Sequence, residues 1–214
     1  MVREGYMWVL IPLLAALAAG GLGFMFGSGA LLALAATALF LAAFMAYFFR
    51  DPRREAPDEP GLVVSPADGR VTRVEKLSLE DAESPTVVSI FLSPFDVHVN
   101  RSPIAGTVVE VTYTKGLFKS AMRDSASVLN EQNALTIKGE QITIVCKQIA
   151  GVLARRIVCW KRPGDKLALG ERFGLIKFGS RTDLVLPFEV EVVVSPGTRV
   201  RGGVSVIGRL GNGK

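Results

Sequence analysis

Between Glu4 and Arg50 the chain carries no charge of either sign, an uncharged run of 45 residues. That absence excludes a solvated surface element. The run is about twice the roughly 20 apolar residues that one membrane-spanning helix needs. Glycines cluster at its middle, from Gly20-Gly21-Leu22-Gly23 to Gly27-Ser28-Gly29, where the chain can turn. Two spans, near 6–26 and 29–49, are therefore expected, and in lipid a pair of helices satisfies every backbone polar group internally. A cleaved signal peptide is shorter and ends in a small-residue cleavage site; this run continues straight into "FFRDPRR".

Histidine is nearly absent. His98 is the only imidazole in the chain, so any imidazole base must be that residue. Cysteine is scarce too: Cys146 and Cys159 lie in apolar runs without CxxC spacing. This excludes a disulfide scaffold and a zinc knuckle, and the expectation is two free thiols and no metal. A recognition-helix pattern, an aromatic RNA-binding signature, a G-x-S-x-G elbow and a long heptad run are all missing. Nucleic acid is not expected as a partner, and a conventional serine hydrolase loses its usual signature. The formal charge of +5 falls after residue 49, and a basic domain tethered to a bilayer favours anionic lipid.

What is present divides into residues 1–50, read as a transmembrane helical hairpin, a Pro- and charge-rich linker at 51–60, and a β-rich domain at 61–214. Arg3 at the entry and Arg50, Arg53 and Arg54 at the exit put both ends of the hairpin, and hence the domain, on the cytoplasmic face of the cell membrane. Tyr6, Trp8 and Tyr47 suit an interfacial belt. Past the linker the chain consists of short β-runs broken by Gly and Pro. Strands are expected at 86–92, 134–138, 141–149 and 152–160, the last two as a hairpin about Ala150-Gly151. The stretch 115–133, "KGLFKSAMRDSASVLNEQN", breaks the pattern and reads equally as a solvated loop or short helix, or as a lipid-facing flap over a site.

Two internal repeats stand out. Residues 65–74 and 102–111 both read S-P-x-x-G-x-V-x-x-V. Pro163-Gly164-Asp165-Lys166-Leu167 with Gly170 matches Pro196-Gly197-Thr198-Arg199-Val200 with Gly202. Gly-bounded repeated strands of this kind suggest a mainly β fold, a compact β-sandwich or barrel with biotinyl/lipoyl-like quasi-repeats. A non-catalytic membrane-anchored adaptor or carrier would suit such repeats, although no lysine flanked by Met or Ala marks an attachment site.

The chemistry centres on "KFGSRTDLVLP", where Gly179-Ser180 sits between two strand-like runs. A hairpin turn is the plain reading; a bond attacked by its own serine is the other. A serine hydroxyl needs a base within hydrogen-bond reach, which here would be His98, and a third group to hold the ring. Asp68 in "SPADGRV" is a candidate for that group, with Asp96 and Asp183 as rivals. Arg101, Lys115 and Lys119 could meet a phosphate by charge.

The motifs "FFRDPRR", "SPADGRV", "FDVHVNRSPIAGTV", "NEQN", "QIAGVLARRIVCW" and "GLIKFGSRTDLVLP", in that order, resemble the short-form phosphatidylserine decarboxylase proenzymes. The resemblance implies a pyruvoyl enzyme that cuts itself between Gly179 and Ser180. The large chain, 1–179, and small chain, 180–214, would stay together as a heterodimer. It gives Ser180, His98 and Asp68 the roles of nucleophile, base and orienter. The pyruvoyl cofactor would derive from Ser180 and form a Schiff base with the amine of a serine phospholipid, drawn from the bilayer, before CO2 is lost. Homo-oligomerisation is left open.

Overall fold

The uncharged run forms two helices. The computed structural model of the protein describes residues 1–120, 126–152, 156–178 and 180–211, and the chain separates into two units, Met1–Arg53 and Arg54–Lys214. In the first unit a 3-10 turn, Arg3–Gly5, leads into α1 (Tyr6–Met25), followed by α2 (Gly29–Phe48). Each helix has 20 residues, about 30 Å at 1.5 Å per residue, and both are long and apolar enough to cross a membrane. Gly27 makes the turn at φ +61°, a conformation that glycine adopts without a steric cost. Ser28 then caps α2 by accepting the Leu31 N–H at 3.5 Å. Large apolar side chains face outwards all round, Phe24 at 87% exposure and Phe40 at 74%, as a lipid-facing helix requires.

Among its described residues the second unit has fourteen strands and one short helix, α3 (Ala126–Leu129). The strands fall into two equivalent halves. One half consists of β1 (Leu62–Val64), β2 (Gly69–Lys76), β3 (Thr86–Leu92), β11 (Ser180–Leu186), β12 (Val190–Val192), β13 (Arg199–Val200) and β14 (Val206–Leu210). The other is inserted between β3 and β11: β4 (Val99–Arg101), β5 (Gly106–Thr114), β6 (Gln132–Lys138), β7 (Thr143–Ala150), β8 (Ile157–Cys159), β9 (Lys166–Leu167) and β10 (Arg172–Ile176). An eight-stranded sheet runs β13-β2-β3-β11-β7-β6-β5-β9, and two three-stranded sheets run β1-β14-β12 and β4-β10-β8. Read from either edge, the long sheet presents equivalent strands, and the halves meet where β11 pairs with β7.

The repeats in the sequence are the chemical cause of this symmetry. Ser65 Oγ donates to the Ala67 carbonyl and Ser102 Oγ to the Ile104 carbonyl, both at 2.6 Å. Val71 and Val108 each accept from a turn glycine, Gly197 and Gly164, at 2.8 Å. Both valines precede a register shift in their strand pairing. The expected mainly β fold with internal quasi-repeats is therefore what forms. One apolar core joins the sheets, including Val63, Ile90, Leu135, Ile144, Phe173, Leu184 and Ile207.

Three local expectations are corrected. The partner of Gly170 in the repeat is Gly203, not Gly202: these two donate their N–H groups to Ser102 and Ser65 respectively, and both have left-handed φ, +72° and +76°. No hairpin joins the strands about Ala150-Gly151, because both edges of β7 are already taken by β6 and β11 and β8 pairs with β10 in another sheet. The Gly179-Ser180 segment is not a hairpin turn either. β10 pairs with β4 and β8, whereas β11 pairs with β3 and β7, so the chain has changed sheets between Ile176 and Ser180.

Candidate active site

The inserted half has an entrance, the crossover from β3 to β4, and an exit, the crossover from β10 to β11. The entrance carries His98 and the exit leads into Ser180. The Ile176 N–H donates to the His98 carbonyl at 3.3 Å, so the two crossovers touch. This bond places His98 beside the last residue of β10, four positions before Ser180.

Ser180 is the first residue of β11, with Leu92 of β3 on one side and Ala150 of β7 on the other. It is completely buried, and its Oγ has no hydrogen-bond partner among the described residues. A buried hydroxyl left unpaired costs about 1–3 kcal/mol, so the fold tolerates a penalty at this atom. Gly179, the other half of the bond, lies outside the described residues. Just upstream, Phe178 has φ +60° and is the one described non-glycine residue in the left-handed region. For an aromatic residue that conformation is strained by of order 1–3 kcal/mol.

His98 is also buried, at 2% exposure. Its Nδ1 lies 2.9 Å from the Asp96 carbonyl oxygen. A carbonyl only accepts, so Nδ1 carries a proton, and in the neutral ring the lone pair then falls on Nε2, the form a general base needs. The Asp96 carboxylate closes the same loop, accepting from Ser93 N at 2.8 Å and Ser93 Oγ at 2.7 Å. Asp96 therefore fixes the ring through its backbone rather than its side chain.

The carboxylate of Asp68 is held by Arg54, with Nη2 at 2.7 Å from Oδ2 and a second ion-pair contact from Nη1 to Oδ1. It also accepts the Gly202 N–H at 2.8 Å. Asp183 points away from Ser180, since alternate residues of a strand face opposite sides. Its Oδ1 lies 2.8 Å from Arg181 Nε, and both side chains are 3% exposed. Arg101 is buried and donates to the Gly170 carbonyl at 3.1 Å, while Lys115 and Lys119 are exposed. Within the 115–133 stretch, Asn130 binds the carbonyls of Lys119 and Ala150 at 2.8 and 2.7 Å, tying it to the neighbour of Ser180. Residues 121–125 of that stretch, including Met122 and Arg123, lie outside the described residues.

Sequence reasoning passed over a buried polar row beside the site: Asn100, Asn133, Gln148 and Thr182, each 0–3% exposed. The available signal was a polar residue on the core side of an apolar strand, as Gln148 is in "ITIVCKQIA". Burial pushes the Cys146 thiol up, with the charges of Asp183 and Cys159 adding to it, and burial likewise raises Cys159. Both cysteines are free.

Comparison with known proteins bears on this site directly. A family model described as phosphatidylserine decarboxylase matches residues 41–208. A phosphatidylserine decarboxylase proenzyme of Solibacter usitatus is 54% identical over 171 residues, covering 80% of this chain and 81% of the relative. Its namesake in Symbiobacterium thermophilum is 48% identical over 203 residues, covering 85% and 91%. A third, from a Wolbachia of Brugia malayi, is 43% identical over 217 residues, covering 97% and 90%.

Proposed function

The chain belongs to the phosphatidylserine decarboxylase family, and we propose that it removes the serine carboxylate of phosphatidylserine to give phosphatidylethanolamine, after cutting itself between Gly179 and Ser180. The observation that carries this reading is the buried, unpartnered Oγ of Ser180 at the mouth of an inter-sheet crossover. In maturation Ser180 Oγ attacks the Gly179 carbonyl carbon, its proton passing to His98 Nε2, and the peptide bond becomes an ester. Elimination across Cα–Cβ of residue 180 releases 1–179 with a free carboxylate. The dehydroalanine left behind takes up water and loses ammonia, giving a pyruvoyl group at the head of 180–214. The left-handed Phe178 supports the direction of the reaction, because a cut after the next residue gives its strain a way to relax.

The surroundings fit such a group. Residue 180 is dry, its backbone is held on both sides by strands, and the single imidazole is oriented by the Asp96 carbonyl. The pyruvoyl carbonyl supplies an electron sink for the charge left when CO2 departs. His98 holds the proton that is returned to the product carbon. Asp68 serves the base indirectly. Its bonds to Arg54 and Gly202 brace the 65–68 turn, and the Pro66 carbonyl in that turn accepts the Arg101 N–H at 2.9 Å, holding the strand that follows His98. The apolar hairpin supports residence in the cell membrane, where the substrate lies. The arginines at its two ends, Arg3 and Arg50 to Arg54, favour the cytoplasmic side for the catalytic unit.

Denaturing mass analysis of the purified full chain tests the reading. The expected result is two chains, the smaller being the 35 residues 180–214 with a blocked N-terminus that reacts with carbonyl reagents. A single intact chain that releases no CO2 from phosphatidylserine vesicles overturns it.

A further inference from the structure

The polar row beside Ser180 has a direction. Asn133 Nδ2 donates to Gln148 Oε1 at 3.1 Å, and Gln148 Nε2 donates to Asn100 Oδ1 at 2.9 Å. Asn100 Nδ2 in turn donates to Thr182 Oγ1 at 3.2 Å and to the Pro66 carbonyl at 3.4 Å. Gln148 Nε2 also faces the Val158 carbonyl at 3.4 Å. Turning either amide over would set donor against donor, so the bonds fix each orientation. Asn133, Gln148 and Thr182 form one cross-strand row of the long sheet, whereas Asn100 and Val158 belong to the small sheet that carries His98's strand. The row is therefore a side-chain bridge between two sheets. Space is left for it: a Cβ at Gly174 would stand 2.9 Å from Gln148 Nε2.

A core of this kind packs at least as well with leucine or valine, and buried polar groups are tolerated only when fully paired. Here they sit two residues beyond His98 and two beyond Ser180, on the core faces of their strands. While the 179–180 bond is intact, the short 177–179 crossover ties β10, and through it β4, to β11. Cutting that bond removes this link. The Asn100–Thr182 hydrogen bond, braced by Gln148, still joins β4 directly to β11.

We propose that Asn100 is a positioning residue, which together with Gln148 keeps the His98 segment in register with the strand beginning at residue 180, before and after the chain is cut. The proposal rests on the maturation reading above. Asn100 touches no reacting atom. It acts through the placement of β4, where a displacement of about 1 Å can cost up to roughly a hundred-fold in rate.

The test uses the full chain in phosphatidylserine-containing vesicles. It follows appearance of the 180–214 fragment, kcat and KM of the cut fraction, and the thermal midpoint. Asn100→Leu is expected to slow cutting and lower kcat by about ten-fold or more, with KM within about two-fold. The double variant Asn100→Leu/Gln148→Met, built in an Asn133→Leu background so that no amide of the row is left unpaired, recovers its midpoint towards the wild type, yet cutting and kcat stay low. Ile137→Ala, a core change further along β6 in the same apolar cluster, is expected to lose stability and still cut at the wild-type rate. Recovery of cutting in step with the midpoint in the double variant overturns the proposal. So does slowing in Ile137→Ala that matches Asn100→Leu at an equal loss of midpoint. If the double variant does not fold, Asn100→Leu against Ile137→Ala decides alone. A wild-type chain that never cuts sinks the maturation reading instead, whereas a wild type that cuts beside an equally fast Asn100→Leu sinks only this one.

Discussion

At the scale of single residues, the site is defined by what its atoms lack and what they hold. Removing Ser180 Oγ deletes the proposed nucleophile and also a buried hydroxyl with no partner among the described residues. Ser180→Ala is therefore expected to remain one chain on a denaturing gel, with a thermal midpoint equal to that of uncut protein or higher by the equivalent of about 1 kcal/mol. An uncut Ser180→Ala chain markedly less stable than uncut wild type would show that the hydroxyl has a partner. His98→Ala keeps the nucleophile and loses the base; cutting is expected to slow by roughly 10²–10⁴-fold, timed by release of 180–214, and wild-type cutting would remove His98 from maturation. The buried thiol of Cys146, its ionisation opposed first by burial and then by Asp183, is expected to resist alkylation in the folded protein at neutral pH and to react after denaturation. Labelling of native protein at Cys146, read by peptide mass, would contradict that burial.

At the scale of elements, much was legible in the sequence because the determining patterns are local. The uncharged run gave both helices within a residue or two, and Thr86–Leu92 appears as a strand where its apolar, largely β-branched run put it. The S-P-x-x-G-x-V repeat exposed the pseudo-symmetry because its serine and valine each make a defined bond to backbone in both copies. Pairing was less legible. Nothing in "QIAGVLARRIVCW" states that both edges of β7 are occupied, since that depends on β11, which arrives 30 residues after Ala150. Ser180 and His98 could be singled out as candidates from residue type and resemblance. The tautomer of His98 could not, because a backbone carbonyl sets it. The repeat glycines also carry a prediction. A Cβ at Gly69 would stand 2.1 Å from the Phe91 carbonyl oxygen, and one at Gly106 2.5 Å from that of Lys138. In both cases the obstacle is backbone in a paired strand, which cannot yield as a side chain would. Gly69→Ala and Gly106→Ala should each lower the thermal midpoint well beyond the 0.5–1 kcal/mol that alanine ordinarily gains over glycine in the unfolded chain, roughly 2 kcal/mol or more net. Gly164→Ala, with nothing within 4 Å but φ +95°, should cost about 1 kcal/mol through strain alone.

At the scale of the whole molecule, the inserted half decides what a cut at 179–180 leaves behind. That half, β4 to β10, lies wholly in the large chain, whereas the small chain supplies β11 to β14 and completes the other half around it. β11 is the strand at which the halves meet, hydrogen-bonded along its length to β3 and to β7, both in the large chain. β13 and β14 pair with β2 and β1, also in the large chain. Leu184, Leu186, Val190, Val200 and Ile207 bring apolar side chains from 180–214 into the common core, each worth about 1.5–3 kcal/mol when fully buried. The cut product should therefore elute as one particle from size exclusion in mild detergent and separate only in denaturant. Leu184→Ala, which opens a cavity at the centre of that shared core at a cost of about 2–5 kcal/mol, should release the 35-residue chain at a lower denaturant concentration than the wild type. A small chain that elutes free without denaturant would mean that the interleaved strands do not bind it. The residue proposed to carry the pyruvoyl group would then leave the half that holds His98, so the interleaving that makes the fold symmetric is also what would keep a self-cut chain whole.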